Sequence, residues 1–219
     1  MYDLSTVLDL EELSSVQEGS GILIAGPAMT GKKRIAMEIL ADGSREGQGA
    51  VVVTTGDSAA DVLTEYREMV PNLDESRVGI VDTRGEGGRS EDHTTSGAFV
   101  HHVSSPGDLT GIGIGITKSI ENLHNGGATS GRLALVSLST MLTYTDKKTV
   151  FKFCHVLSSR LDAAGYLGLF TIDSGAHDDQ TLQVIKQAFD GLIELREHEG
   201  DRQVRVLGLG GSPSDWTDL

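Results

Sequence analysis

The stretch GILIAGPAMTGKK, residues 21–33, decides how the rest of the chain is read. It opens as an apolar run that fits a buried strand over 21–26, and a helical pattern then extends from Thr30 to about Leu40. Between the two, Gly26 to Lys32 spell G-x-x-x-x-G-K, the pattern of a phosphate-binding loop. A strand before and a helix after are the context this pattern needs, because loop N–H groups and the positive end of the helix dipole then converge on an anion. Cations are disfavoured at a helix N-terminus, yet Lys32, Lys33 and Arg34 crowd there. A bound anion is the simplest reason to tolerate them. Gly26, Pro27, Ala28, Met29, Thr30, Gly31, Lys32 and Lys33 are therefore the candidate phosphate-binding residues. The next position in the motif is ordinarily a Ser or Thr whose hydroxyl holds Mg²⁺, and here it is Lys33.

Outward from this loop, short apolar runs alternate with helical patterns, which predicts an α/β fold with a mostly parallel sheet covered on both faces. AVVVTT (50–55) reads as the second strand, and Ser58-Ala59-Ala60-Asp61 reads as a capping box. The helix it starts places Val62, Tyr66, Met69 and Val70 on one face and stops at Pro71. A third strand spans Val78–Val81 and ends at Asp82. RGEGGRSEDHTTSG (84–97) has almost no apolar content and predicts a mobile surface loop. A strand follows at 98–104, in which the adjacent His101 and His102 face opposite ways and cannot chelate together. TGIGIGIT fits either alternation or a helix. Leu109, Ile112, Ile116, Ile120 and Leu123 fall at helical spacing, and Ser105 with Pro106 supplies a start, so a helix is expected. Its three glycines weaken it by about 1 kcal/mol each.

RLALVSLS (132–139) predicts a buried strand, and the helix after Thr145 sets Val150, Phe153, Cys154, Leu157 and Leu161 on one face. YLGLFTI (166–172) predicts another buried strand, ending in Asp173. A helix near 179–188 precedes GLIELRE and RQVRVLGL, read as an antiparallel hairpin turning at His198-Glu199-Gly200-Asp201. His177-Asp178-Asp179 reads as a helix cap rather than a metal site. Ser137, Ser139 and Thr140 have neither a Gly-x-Ser-x-Gly elbow nor a matched histidine in the sequence, which argues against nucleophilic catalysis. Trp216 docks on the body or on a partner.

A chain of 219 residues fits one domain, 1–219, and 28 glycines against 4 prolines indicate many tight connections. The 18 basic residues against 32 acidic ones give a formal charge of −14. Such a surface repels nucleic acid and anionic membrane, so neither is an expected partner. The lone Cys154 sits in an apolar pattern and reads as a reduced core residue. No apolar run approaches the roughly 20 residues that cross a bilayer, and the start carries no basic region, so a cytoplasmic protein is expected.

The order of elements, with the loop on the first strand, resembles the RecA superfamily of ATPases and most of all its KaiC-like branch. GPAMTGKK, VVVTTGDSAADVL, SSPGDLTGIGI, RLALVSLSTML and DGLIELRE with RQVRVLGL carry the resemblance over nearly the whole chain. The first of these is a sharp motif and the others are similarity of pattern. More narrowly, the chain resembles small haloarchaeal KaiC-like proteins labelled HTR-like, and its charge suits a halophile. The resemblance implies a RecA-like P-loop fold with ATP or ADP as ligand. It also marks what has gone. The family follows its loop lysine with Ser or Thr, where Lys33 has donors only and cannot bind a metal. Val136 stands where the family has its metal-associated aspartate. Gly56, Asp57 and Ser58 replace Glu-Glu-Ser, and Gly208, Leu209 and Gly210 replace the Lys-x-Arg that reaches a neighbouring subunit's nucleotide.

Hydrolysis needs a metal beside the phosphates, a carboxylate to orient water and cations on the developing charge. The expectation is a nucleotide-binding regulatory protein with degenerate catalytic motifs and weak or absent hydrolysis, its metal ligands gone. Lys33 then either neutralises phosphate charge in the metal's place, closes the site by pairing with Asp173, or faces solvent. One rival is an active ATPase using Thr30 or Ser137 for metal and Asp57, Asp82 or Asp173 as the acid, with Asp57 and Asp173 the leading catalytic candidates. The other is a protein-interaction module with an empty loop. The sequence names no protein partner and leaves a homo-oligomer open.

Overall fold

The computed structural model describes residues 1–85, 92–93, 97–209 and 212–219. Its strands are β1 (Gly21–Gly26), β2 (Gly49–Thr54), β3 (Val78–Asp82), β4 (Asp92–His93), β5 (Phe99–His102), β6 (Gly131–Val136), β7 (Leu167–Asp173), β8 (Gly191–His198), β9 (Asp201–Gly208) and β10 (Thr217–Asp218). They form one sheet in the order β10-β9-β8-β1-β7-β6-β2-β3-β5-β4. From β8 to β5 every neighbouring pair is parallel, while β9, β10 and β4 join antiparallel at the two edges. The expected fold class is the observed one, including the C-terminal hairpin of β8 and β9. Glu199 and Gly200 turn that hairpin with φ of 54° and 94°.

The helices are α1 (Ser5–Leu8), α2 (Lys32–Arg45), α3 (Ala59–Met69), α4 (Leu109–Asn125), α5 (Leu138–Tyr144), α6 (Lys147–Ala164) and α7 (Asp179–Lys186). Alternation along the strands feeds two cores. Ile22 and Ile24 of β1, with Ala50 and Val52 of β2, pack on α2 and α3 through Ile35, Ile39, Val62 and Tyr66. Leu23, Ala25, Val51 and Val53 point the other way, into a core built from Ile112 and Ile116 of α4, Val150, Cys154 and Leu161 of α6, and Leu182 and Ile185 of α7. Strands buried on both faces read as unbroken apolar runs, which is why AVVVTT and GILIAG stood out.

Several boundaries differ from the sequence reading. β6 stops at Val136, because Ser137 accepts the Ser139 N–H and caps α5, so SLS is a helix start and not a strand end. α4 begins at Leu109 with Asp108 as its cap, accepting the Gly111 N–H at 2.8 Å. Ser105 instead holds a turn by accepting the Gly107 N–H. α2 starts at Lys32, not Thr30, and runs on to Arg45. The capping box at Ser58 forms as expected, with Asp61 N–H donating to Ser58 Oγ at 3.0 Å. Of the loop expected at 84–97, residues 86–91 and 94–96 lie outside the described residues, and Asp92–His93 pair with β5.

The N-terminal segment was not anticipated as structure. Tyr2 bridges to Val16, and Leu4, Leu8, Leu10 and Leu13 between them are buried in the α2–α3 core. Trp216 docks on the body, stacked under Arg196 at 4.1 Å and Arg205 at 4.5 Å.

Candidate nucleotide site

Because the strands are parallel, their C-terminal ends share one edge, and ligands of open α/β sheets sit in the crevice beyond it. The loop from Gly26 to Gly31 leaves the end of β1 there. Gly26 has no room for a side chain, since a Cβ would lie 2.7 Å from Leu195 Cβ and 2.9 Å from Thr30 Oγ1. Gly31 turns into α2 at φ 95°, and Met29 crowns the loop at φ 64°, 98% exposed. Thr30 is buried, and its hydroxyl donates to Pro27 O at 2.9 Å. Lys32 Nζ donates to the same carbonyl. Burial pulls the Lys32 ammonium below its ordinary range, partly offset by the Asp173 carboxylate.

The start of α2 is unlike the other long helices. Ser58, Asp108, Ser137, Asp146 and Asp178 cap α3 to α7 with a side chain, whereas no side chain caps α2. Its first N–H groups therefore have no side-chain acceptor at the loop. A further cation stands close by. Arg202 of β9 brings its Nη1 within 3.4 Å of the place a Gly31 side chain would take, and it makes no ion pair among the described residues.

Lys33 turns away from the loop. Its Nζ lies 2.9 Å from Asp57 Oδ2 and 2.6 Å from Glu65 Oε2 of α3. Burial pulls this ammonium down, but hydrogen bonds and charge from Glu65 and Asp57 outweigh it and hold it above the ordinary lysine range. The pair with Asp173 does not form, nor does Lys33 face free solvent. Asp173 instead stands beside Gly26 in the β1–β7 register, and its Oδ1 accepts the Gly175 N–H at 2.9 Å.

The residues weighed as unorthodox ATPase ligands are mostly engaged. Asp82 is buried and accepts from Ala59 N–H and from the Arg84 backbone and guanidinium. Burial raises the Asp82 carboxyl, yet these bonds outweigh it and hold the group below the usual carboxylate range. Ser137 caps α5 and Thr30 is bonded to Pro27. Among the described residues, no group of three or more His, Cys, Asp or Glu converges as a metal site. Magnesium, which the fold implies, does not fit this donor set: an ammonium stands at 33 and a hydrocarbon at 136.

One contact was invisible in the sequence. His177 Nε2 lies 2.9 Å from Ser139 Oγ, which also accepts the Asp173 N–H at 2.8 Å. The histidine that Ser139 lacked in sequence is supplied by the loop after β7, and no local spacing could have found it. Of the anticipated residues, the edge thus gathers the loop, Asp57, Asp82, Ser137, Ser139 and Asp173. His101 lies apart, buried against Gly115 of α4, while His102 Nδ1 is 4.0 Å from Asp82.

Comparison with known proteins places these observations. The family of unknown function DUF7504 matches residues 19–195. Among solved structures, a KaiC-like protein from the hyperthermophilic archaeon Pyrococcus horikoshii superposes with a TM-score of 0.65 over 94% of this chain and 86% of that one, at 17% identity. No curated protein matches the sequence. At that identity the likeness is one of fold, and the fold is the RecA-like α/β fold of KaiC-like proteins.

Proposed function

The chain belongs to DUF7504, a family of unknown function, and we propose that it is a nucleotide-binding regulatory protein that holds ATP or ADP without Mg²⁺ and hydrolyses it weakly or not at all. The observation that carries this reading is the start of α2, left uncapped by any side chain where α3 to α7 are each capped. Uncapped N–H groups, a loop that turns into the helix at Gly31 and a helix dipole are what a phosphate needs. Lys32, released from the Pro27 carbonyl, and Arg202 beside Gly31 would supply cations to it.

Absent turnover follows from where the charges are. Asp57, the acid nearest the family's carboxylates, is neutralised by Lys33, and Asp82 is saturated by Arg84 and Ala59. Asp173 is the one candidate acid left beside the loop, and its Oδ1 accepts the Gly175 N–H. A site that binds without turning over reports nucleotide level rather than consuming it, which suits regulation.

Equilibrium titration of a fluorescent ATP analogue tests the binding. Saturable binding that Lys32→Ala weakens at least about tenfold supports it. No binding to the wild-type chain, or equal binding to Lys32→Ala, would sink it in favour of an interaction module with an idle loop.

A further inference from the structure

A groove of about 350 Å³ lies between α4 and α6, on the sheet face opposite α2 and α3. Its lining includes Leu109, Phe153 and the buried Leu157, together with two side chains that water reaches: Ile114, 47% exposed, and Val156, 52% exposed. Isolated apolar residues on a surface are ordinary; here two large ones line one concave strip.

The glycines of α4 explain why the groove is open. Gly111 and Gly115 face inward, where a Cβ would strike Val103 at 2.9 Å or His101 at 2.5 Å. They let α4 sit close on the sheet. Gly113 has the opposite aspect: the nearest atom to a Cβ there is Arg160 Nη1, at 3.9 Å. A side chain at 113 would fit, and its lack leaves the strip between the two helices hollow.

The flanks of the groove are basic in a chain of net charge −14. Lys152, Val156 and Arg160 recur at i, i+4 and i+8 along one stripe of α6. Neither Lys152 nor Arg160 makes an ion pair among the described residues, although carboxylates are abundant. By contrast Arg34, Arg67, Arg132, Lys186 and Arg205 each pair with an acid of the same chain.

We propose that this groove docks an amphipathic helix of a protein partner, apolar on the face it inserts and carrying Asp or Glu on its flanks. The proposal stands on the groove alone and is independent of the nucleotide reading. A helix laid between two helices presents anchors at i, i+3, i+4 and i+7 to the apolar strip. Acidic flanks then meet Lys152 and Arg160, which steers and orients the encounter. A bilayer surface is flat where this strip is concave, and the −14 charge opposes approach to anionic lipid.

A display library of 16-residue helical peptides with randomised flanks, selected on the full chain, tests the proposal. Recovered peptides are then titrated by fluorescence anisotropy against the wild type, Val156→Asp and the double variant Lys152→Glu/Arg160→Glu. The substituted positions are exposed, and Trp216 emission with thermal unfolding verifies that each variant is folded. The expected result is enrichment of apolar helices with acidic flanks that bind both variants at least about tenfold more weakly. No enrichment, enrichment of neutral or basic flanks, or equal affinity for wild type and variants would overturn it. So would binding to phosphatidylglycerol vesicles that both variants abolish, which would make the strip a lipid contact instead.

Discussion

Lys33 Nζ is 2.9 Å from Asp57 Oδ2, so the residue standing where the loop motif ordinarily has a metal-holding hydroxyl is bonded to the acid that follows β2. Its ammonium is thereby held by carboxylates of the same chain and not by the loop. Glu65, at 2.6 Å, completes the arrangement from α3.

Replacing this lysine separates its two roles. Both ion pairs are half-exposed, so Lys33→Met is expected to lower unfolding free energy by no more than about 1 kcal/mol, read by urea titration. The same change leaves Asp57 and Glu65 unneutralised beside an anion site. ATP affinity should fall about three- to tenfold, while turnover stays at the wild-type level because Val136 still provides no metal ligand.

Asp82 carries a pH-dependent share of stability. Its carboxyl is held below the usual range, so its contribution is fully present above the unfolded-state pKa of about 4 and is lost as pH falls through the lower folded value. Asp82→Asn should cost about 2–3 kcal/mol at neutral pH by removing a buried carboxylate that accepts from the Ala59 N–H and the Arg84 guanidinium. The gap between the two unfolding curves should narrow progressively below about pH 4. A gap that widens on acidification would contradict the assignment.

The first glycine of the loop is set by contact. In Gly26→Ala the new methyl meets Leu195 Cβ at 2.7 Å and the Leu195 carbonyl at 3.0 Å, so loop and hairpin must part. A loss of about 1–3 kcal/mol is expected in urea unfolding, together with loss of the thermal shift produced by ATP.

Ser139 and His177 answer to a differential test. Ser139→Ala strands the Asp173 N–H, at an expected cost of about 1–2 kcal/mol. His177→Ala leaves that bond in place and should cost less than half as much. Equal costs, measured by chemical denaturation, would mean that the histidine and not the backbone bond holds the loop after β7.

What the sequence disclosed and what it withheld have physical causes. GILIAG and AVVVTT were legible because burial on both sheet faces leaves no polar interruption. The end of β6 was not, since RLALVSLSTML is mostly apolar and only Ser137, an N-cap directly after the strand, marks the junction. Asp108 lost to Ser105 in the reading of α4 because Ser-Pro is a strong local start signal. The chain instead spends Gly107 on a turn against Tyr144, where a Cβ would sit 2.9 Å from Tyr144 Cβ. The buried residues from Tyr2 to Val16 follow no period, so nothing announced them as core. At the site, the loop itself was plain. The partners of Lys33 were not, because Glu65 reaches it through the packing of α3 on α2, and the match of His177 to Ser139 spans two strand ends.

The most direct test of the central claim is the ATP dissociation constant of the wild-type chain by isothermal titration, in Mg²⁺ and in EDTA at one ionic strength. Two values within about twofold of each other are expected, because the ammonium at 33 and the hydrocarbon at 136 give the protein no hold on the metal. Affinity that falls tenfold or more, about 1.4 kcal/mol, when Mg²⁺ is chelated would contradict it.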